Sequence, residues 1–224
     1  MRPPMFSSGL FLVSFVAGAT APLAGPAPPV ATPSSSSSSS ADRIVLIDAG
    51  GRRALEITQH GQTLRIATTP GQPALMGEPH GPGKRKYRLE GGDGAVLAEV
   101  KLKAEAPGLD AAGFKLRSPD GRLLWKVKIA GDKIKISADE EGTHPFVLSL
   151  KQGDKVKVAG GDERPLGAVR YRAGKRVTVE DAAGHELYTA DSDQRSALFG
   201  VLLLDAIPAR ERQILMAELL AAGY

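Results

Sequence analysis

Six lysines in three short segments are the residues whose spacing most suggests chemistry: Lys126 and Lys128, Lys133 and Lys135, and Lys155 and Lys157. Each pair brackets an apolar residue, in Lys-Val-Lys-Ile, Lys-Ile-Lys-Ile and Lys-Val-Lys-Val. An alternation of period two sends successive side chains to opposite faces of a strand, so all six ammonium groups belong on one outer face. A stripe of that kind attracts anionic lipid headgroups, polyanionic glycans or nucleic acid. On a solvated face it also maintains solubility and discourages edge pairing. Trp125 and Tyr87 fall on the opposite, inward phase of the alternation, so the stripe lacks the aromatic platforms on which unpaired bases stack.

Other residue types give little support to catalysis or metal binding. His60, His80, His144 and His185 are isolated in turn-like contexts, and none forms the His-x-x-x-His spacing that puts two ligands on one helix face. Asp139-Glu140-Glu141 is a cluster of carboxylates, but a calcium site needs several oxygens converging on one point, and a solvated loop is expected. Gly91-Gly92-Asp93 and Gly160-Gly161-Asp162 precede strand-like segments instead of the helix start that a phosphate loop requires, so both are expected to be turns. The Gly-x-Ser-x-Gly elbow of hydrolases is absent from the sequence. The expectation is a protein that is not an enzyme, with no cofactor and no metal.

The charge is unevenly distributed. Lys84 to Arg176 contains 21 Lys or Arg against 13 Asp or Glu, whereas Val177 to Tyr224 contains 3 against 8. The body is basic and the tail acidic. The chain contains no cysteine, which excludes disulfides, thiolate chemistry and a lipoprotein's lipidated cysteine.

Positioning the lysines requires strands, and strand signals fill the body. Arg43–Ile47, Ala54–Thr58 and Thr63–Ala67 read as an opening meander, followed by a Pro- and Gly-rich loop over Thr69–Gly83 and a strand over Lys84–Leu89. Hairpins follow at Gly131-Asp132, Gly153-Asp154 and Ala173-Gly174. A short repeat runs through the middle. Lys86-Tyr-Arg88 precedes Asp93-Gly94-Ala-Val-Leu97-Ala-Glu-Val100-Lys101, and Lys115-Leu-Arg117 precedes Asp120-Gly121-Arg-Leu-Leu124-Trp-Lys-Val127-Lys128. Val177 to Tyr188 is a weaker third copy. Asp-Gly supplies the positive φ of a tight turn, and the following Leu and Val return to the core. About twelve strands precede Asp191, too many for an open sheet of short strands that does not curl or split. The fold class is mainly β, an antiparallel meander closing into a roughly twelve-stranded barrel, with a β-sandwich as the alternative.

The chain then changes character. Ser196–Ile207 is apolar on every side apart from Asp205, which predicts a helix buried all round, with Ser192 and Asp193 as N-caps. Pro208 stands at a first helical position, and Ala209–Ala222 reads as a final amphipathic helix with Leu215, Met216, Leu219 and Leu220 on one stripe.

At the other end, Leu10–Ala19 is an apolar run behind Arg2, with Ala17 and Ala19 at the −3 and −1 positions of a cleavage site. This is the layout of a secretory signal over residues 1–19. Residues 20–41, with seven consecutive serines, read as a flexible spacer. A single domain over 42–224 follows. The expected location is periplasmic or extracellular, and not that of a lipoprotein.

Hairpins built on Asp-Gly-x-x-Leu-x-x-Val and followed by a very apolar terminal helix resemble the tubby-like superfamily, which includes the LURP-one-related proteins and phospholipid scramblases. The resemblance covers roughly Lys84 to Ile207 and implies a twelve-stranded barrel threaded by a hydrophobic C-terminal helix. It carries over no functional residue, and both the export signal and the segment after Pro208 depart from the family pattern. The function expected from all of this is that of an exported binding or scaffold domain that contacts an anionic membrane surface. The alternative is an envelope-associated interaction protein that docks a partner through its C-terminal amphipathic helix. An enzyme would require a pocket gathering His144 or His185 with carboxylates.

Overall fold

In a computed structural model, which describes residues 43–68, 71–103, 111–151, 155–172, 176–191 and 197–224, fourteen antiparallel strands form one closed barrel. The export signal, the serine spacer, the N-caps Ser192 and Asp193, and the turns at Gly153-Asp154 and Ala173-Gly174 lie outside the described residues. The strands are β1 Arg43–Asp48, β2 Arg53–His60, β3 Thr63–Ala67, β4 Leu75–Pro79, β5 Lys84–Leu89, β6 Ala98–Leu102 and β7 Ala111–Arg117. They continue with β8 Leu123–Ala130, β9 Lys133–Ser137, β10 Phe146–Lys151, β11 Lys155–Ala159, β12 Pro165–Arg172, β13 Arg176–Asp181 and β14 Glu186–Asp191. Every strand pairs with its neighbours in sequence, and β1 closes the ring on β14 through Leu46↔Ala190 and Ile47↔Thr189. Closure leaves no unpaired sheet edge.

The strand count exceeds the sequence expectation, and β4 is the clearest addition. Leu-Met-Gly-Glu-Pro lies within the stretch expected to be a loop, because Gly and Pro weaken the strand signal. Both residues have a place in the wall. Pro79 ends the strand, and Gly77 lies under the Tyr87 ring, whose Cε1 would sit 2.6 Å from any Cβ at that position. Tyr87 can be fully buried only because residue 77 has no side chain.

Eight strands enclose a space that their own side chains can fill, whereas fourteen enclose considerably more. The C-terminal segment supplies what is missing. Ala197–Leu203 forms a 3₁₀ helix, narrower than an α-helix, with Ala197, Leu198, Phe199, Val201 and Leu203 all in the core. Its Gly200 lies against β10 and β11, where a Cβ would come within 2.9 Å of Val158 Cγ2 and 3.0 Å of Leu148 Cδ2. A buried apolar helix thus occupies the place expected for it.

The second helix, α1 (Ala209–Ala221), departs from the expected surface position. Residues Ile214 to Leu220 are all buried, and the stripe Leu215, Met216, Leu219 and Leu220 packs into the same core as the strands. The reason is volume: a short 3₁₀ helix fills one side of so wide a barrel, next to β10–β13, and α1 fills more of it, approaching β3.

Polar side chains fix α1 in place. Glu218, with no exposed side-chain surface, accepts a hydrogen bond of 2.7 Å from the Tyr87 hydroxyl and one of 2.5 Å from Arg85 Nη1. Arg85 also donates to the Gln62 carbonyl, so the guanidinium joins α1 to the β2–β3 turn. Burial pushes the Tyr87 hydroxyl well above its ordinary range, and the Glu218 carboxylate adds to the effect. Burial, the largest single influence, would lower the Arg85 pKa, but the charge and hydrogen bond of Glu218, with smaller contributions from Tyr87, together raise it. At the start of α1, Trp125 Nε1 donates to Glu211, which confirms the inward phase read for Trp125. Arg212 ties the two helices together, 3.0 Å from the Leu202 carbonyl and 2.5 Å from Asp205.

Candidate anion-binding face

The alternation that drives Val127, Ile129, Ile134, Ile136, Val156 and Val158 into the core places the six lysines on the outer wall. Cross-strand register brings them side by side. Lys128 is directly opposite Lys135, and Lys133 and Lys157 flank Ser149 on β10. One register step further along, Lys155 lies between Lys151 and Arg170.

Like charges placed opposite each other destabilise a sheet, so this arrangement opposes folding. Lys128, Lys133, Lys135, Lys151, Lys155 and Lys157 have no carboxylate within 4.0 Å among the described residues. Lys155 is half-buried and the other five are exposed.

Lys126 separates from this group. It lies opposite Lys115, and both reach Glu140, whose Oε2 is 2.7 Å from Lys115 Nζ and 3.7 Å from Lys126 Nζ, with Arg117 Nη2 3.1 Å from Oε1. The Lys115 ammonium holds the Glu140 carboxyl below its ordinary range, with Lys126 and Arg117 adding to the effect. Of the carboxylates considered for calcium, Asp139 and Glu140 are thus already engaged. Asp139 accepts from the Thr143 hydroxyl and from the backbone N–H groups of Gly142 and Thr143, and its pKa is lowered, chiefly by the hydroxyl. Among the described residues no group of three or more His, Asp or Glu could hold a metal ion.

Register also shows lysines that the segment-by-segment reading passed over. Lys84, Lys101, Lys115 and Lys126 form one transverse row across β5, β6, β7 and β8. The sequence carries the signal in Lys84-x-Lys86, Lys101-x-Lys103 and Lys115-x-Arg117, the same alternation with less apolar partners.

Beyond Lys155 and Lys157 the wall dips into a groove of about 460 Å³, floored by Ala159, Gly167 and Ala168. Gly167 is required there: its φ is +152°, and a Cβ would lie 2.2 Å from the Glu180 carbonyl oxygen and 2.9 Å from Leu203 of the plug. Glu163, Glu180 and Asp181 stand among the groove's other lining residues.

The four histidines are exposed, as expected of loop residues. His185 Nδ1 is 3.0 Å from Asp181 Oδ2 on a surface turn, and His144 lines a separate cavity at the end of the wall together with Asp162 and Asp205. No helix among the described residues is long and apolar enough to cross a membrane. No family model, no curated protein and no solved structure matches this chain.

Proposed function

We propose that the protein is a non-enzymatic binding domain whose outer wall over β8–β11 docks onto an anionic membrane surface. One observation carries this reading: five exposed lysines and the half-buried Lys155 share one patch in which none forms an ion pair within 4.0 Å among the described residues, although Arg–Glu pairs are frequent elsewhere on the barrel. Cations that stabilised the sheet would be expected beside carboxylates. Each lysine near an acidic leaflet contributes about 1 kcal/mol of attraction, so four or five acting together give a usable affinity without a shaped pocket. The lack of aromatics on the patch argues against base stacking, and hence against single-stranded nucleic acid.

The tubby-like resemblance fits this reading through the barrel with a buried terminal helix, and export fits it through the signal-like sequence. The alternative, docking of another envelope protein through the C-terminal helix, loses its main support, because the apolar stripe of α1 is occupied by the barrel wall. Flotation of the full chain with vesicles at moderate salt tests the proposal. Binding to phosphatidylglycerol vesicles and not to phosphatidylcholine vesicles, weakening as salt is raised, is the expected result. Equal recovery with both, or with neither, overturns it.

A further inference from the structure

We infer that a second site, at the end of the barrel where the plug leaves the wall, binds an acidic amphiphile: a short apolar chain with a carboxylate or phosphate-monoester head. A cavity of about 640 Å³ opens there between the β9–β10 and β11–β12 connections and the end of the 3₁₀ helix. Its size is that of a small-molecule pocket. Phe146 and Leu166, both half-buried, and Leu203 of the plug give it an apolar lining.

Among the charged lining residues Asp205 is paired with Arg212, and Asp162, whose Oδ1 accepts the backbone N–H of Arg164 at 3.2 Å, has no cationic partner among the described residues. The Arg164 guanidinium and the His144 ring have no hydrogen bond or ion pair among the described residues. A guanidinium presents a planar fork of donors that suits carboxylate and phosphate oxygens.

Backbone strain points to the same place. His144 (φ +45°), in this mouth, is a non-glycine residue in the left-handed region; the other among the described residues, Glu163 (φ +64°), takes the turn position that Gly51, Gly121 and Gly184 hold in equivalent hairpins. Gly161 fits beneath His144 only because it lacks a side chain, since a Cβ would lie 2.2 Å from the His144 carbonyl oxygen. Strained residues of this kind concentrate at ligand sites. The site is independent of the lysine patch, because none of the six candidate lysines lines it.

The chain's one tryptophan supplies the readout, since the Trp125 ring centre lies 6.2 Å from that of Phe146. Bromine on the terminal carbon of a ten-carbon chain, in a ligand seated against Phe146, will quench Trp125. Full-length protein is titrated with the brominated acid, phosphate monoester, alcohol and amine of equal chain length, below their aggregation limits. Saturable quenching by the acid or the phosphate, at least about tenfold tighter than by the alcohol and absent with the amine, is expected. Arg164→Gln weakens it about tenfold, Ala206→Phe abolishes it by filling the cavity, and Lys133→Gln with Lys157→Gln leaves it unchanged. Equal quenching by acid and amine, no saturation, or an unaltered response in both cavity variants overturns the inference. Loss of vesicle flotation with this quenching intact rejects only the membrane reading.

Discussion

Along β1–β5 and β13–β14, Arg43, Arg65, Arg88 and Arg176 each lie within 3.2 Å of a glutamate, whereas along β8–β11 Lys128 faces Lys135, and Lys133 and Lys157 flank a serine. Both regions belong to one closed wall with the same inward alternation of apolar residues, so packing does not demand the difference. The cation types differ as well. Arginine's fork suits a carboxylate in the same wall, and lysine's mobile, strongly hydrated charge suits a diffuse field beyond it. The arginine–glutamate pairs read as self-sufficient and the lysine patch over β8–β11 as open to a partner, while Lys84 of β5 faces a further lysine, Lys101.

The buried counterpart of the arginine–glutamate pairs gives the largest expected effect. Arg85→Ala leaves the Glu218 carboxylate buried without its cation, and urea unfolding should show a loss of about 3–5 kcal/mol. The triple variant Arg85→Met, Tyr87→Phe and Glu218→Leu should recover most of it, because an apolar set of similar volume is tolerated where a lone charge or an unpaired buried hydroxyl is not. A small effect of Arg85→Ala would show that pairing is incidental even in the core. Phe199→Ala, which opens a hole in the plug, belongs to the same range, about 3–5 kcal/mol by the same measurement.

Glu140→Gln sharpens the comparison in the other direction. It frees Lys115, Arg117 and Lys126 from the one glutamate that engages them, so affinity for anionic vesicles should rise about fivefold at moderate salt.

Acid titration gives a further, gentler effect. Asp139, Glu140 and Asp181 are lowered by hydrogen bonds from the Thr143 hydroxyl, the Lys115 ammonium and the His185 backbone N–H respectively. Their folded-state values lie below their unfolded ones, so the stability they contribute is present above the ordinary carboxylate range, about pH 4, and is lost as pH falls through the lowered values. Urea midpoints should be level from pH 7 to about 5 and decline below about 4. The smallest effect belongs to single exposed pairs: Arg43→Gln should cost no more than about 1 kcal/mol.

Much of this was legible where one residue's type decides its place. The Lys-Val-Lys and Lys-Ile-Lys runs fixed β8, β9 and β11 and their outer face, and Gly121, at φ +87°, makes the turn expected of Asp120-Gly121. What escaped depended on contacts distant in sequence. β4 is a strand because Tyr87 needs the space at Gly77, and α1 is buried because closing fourteen strands leaves a volume that no local pattern announces. The lysine face was legible as alternation, but the retreat of Lys126 to Glu140 required the fold of the 139–143 turn.

On the proposed reading, position on the wall, and not net charge, makes the lysine face a docking surface. Two quadruple variants that each remove four positive charges test it. One carries Lys128, Lys133, Lys135 and Lys157 replaced by Gln, and the other carries Arg43, Arg65, Arg88 and Arg176 replaced by Gln. Binding to phosphatidylglycerol vesicles should fall by about a hundredfold or more in the first and stay within a few-fold of the parent in the second. Equal losses in the two, or none in the lysine variant, would contradict it.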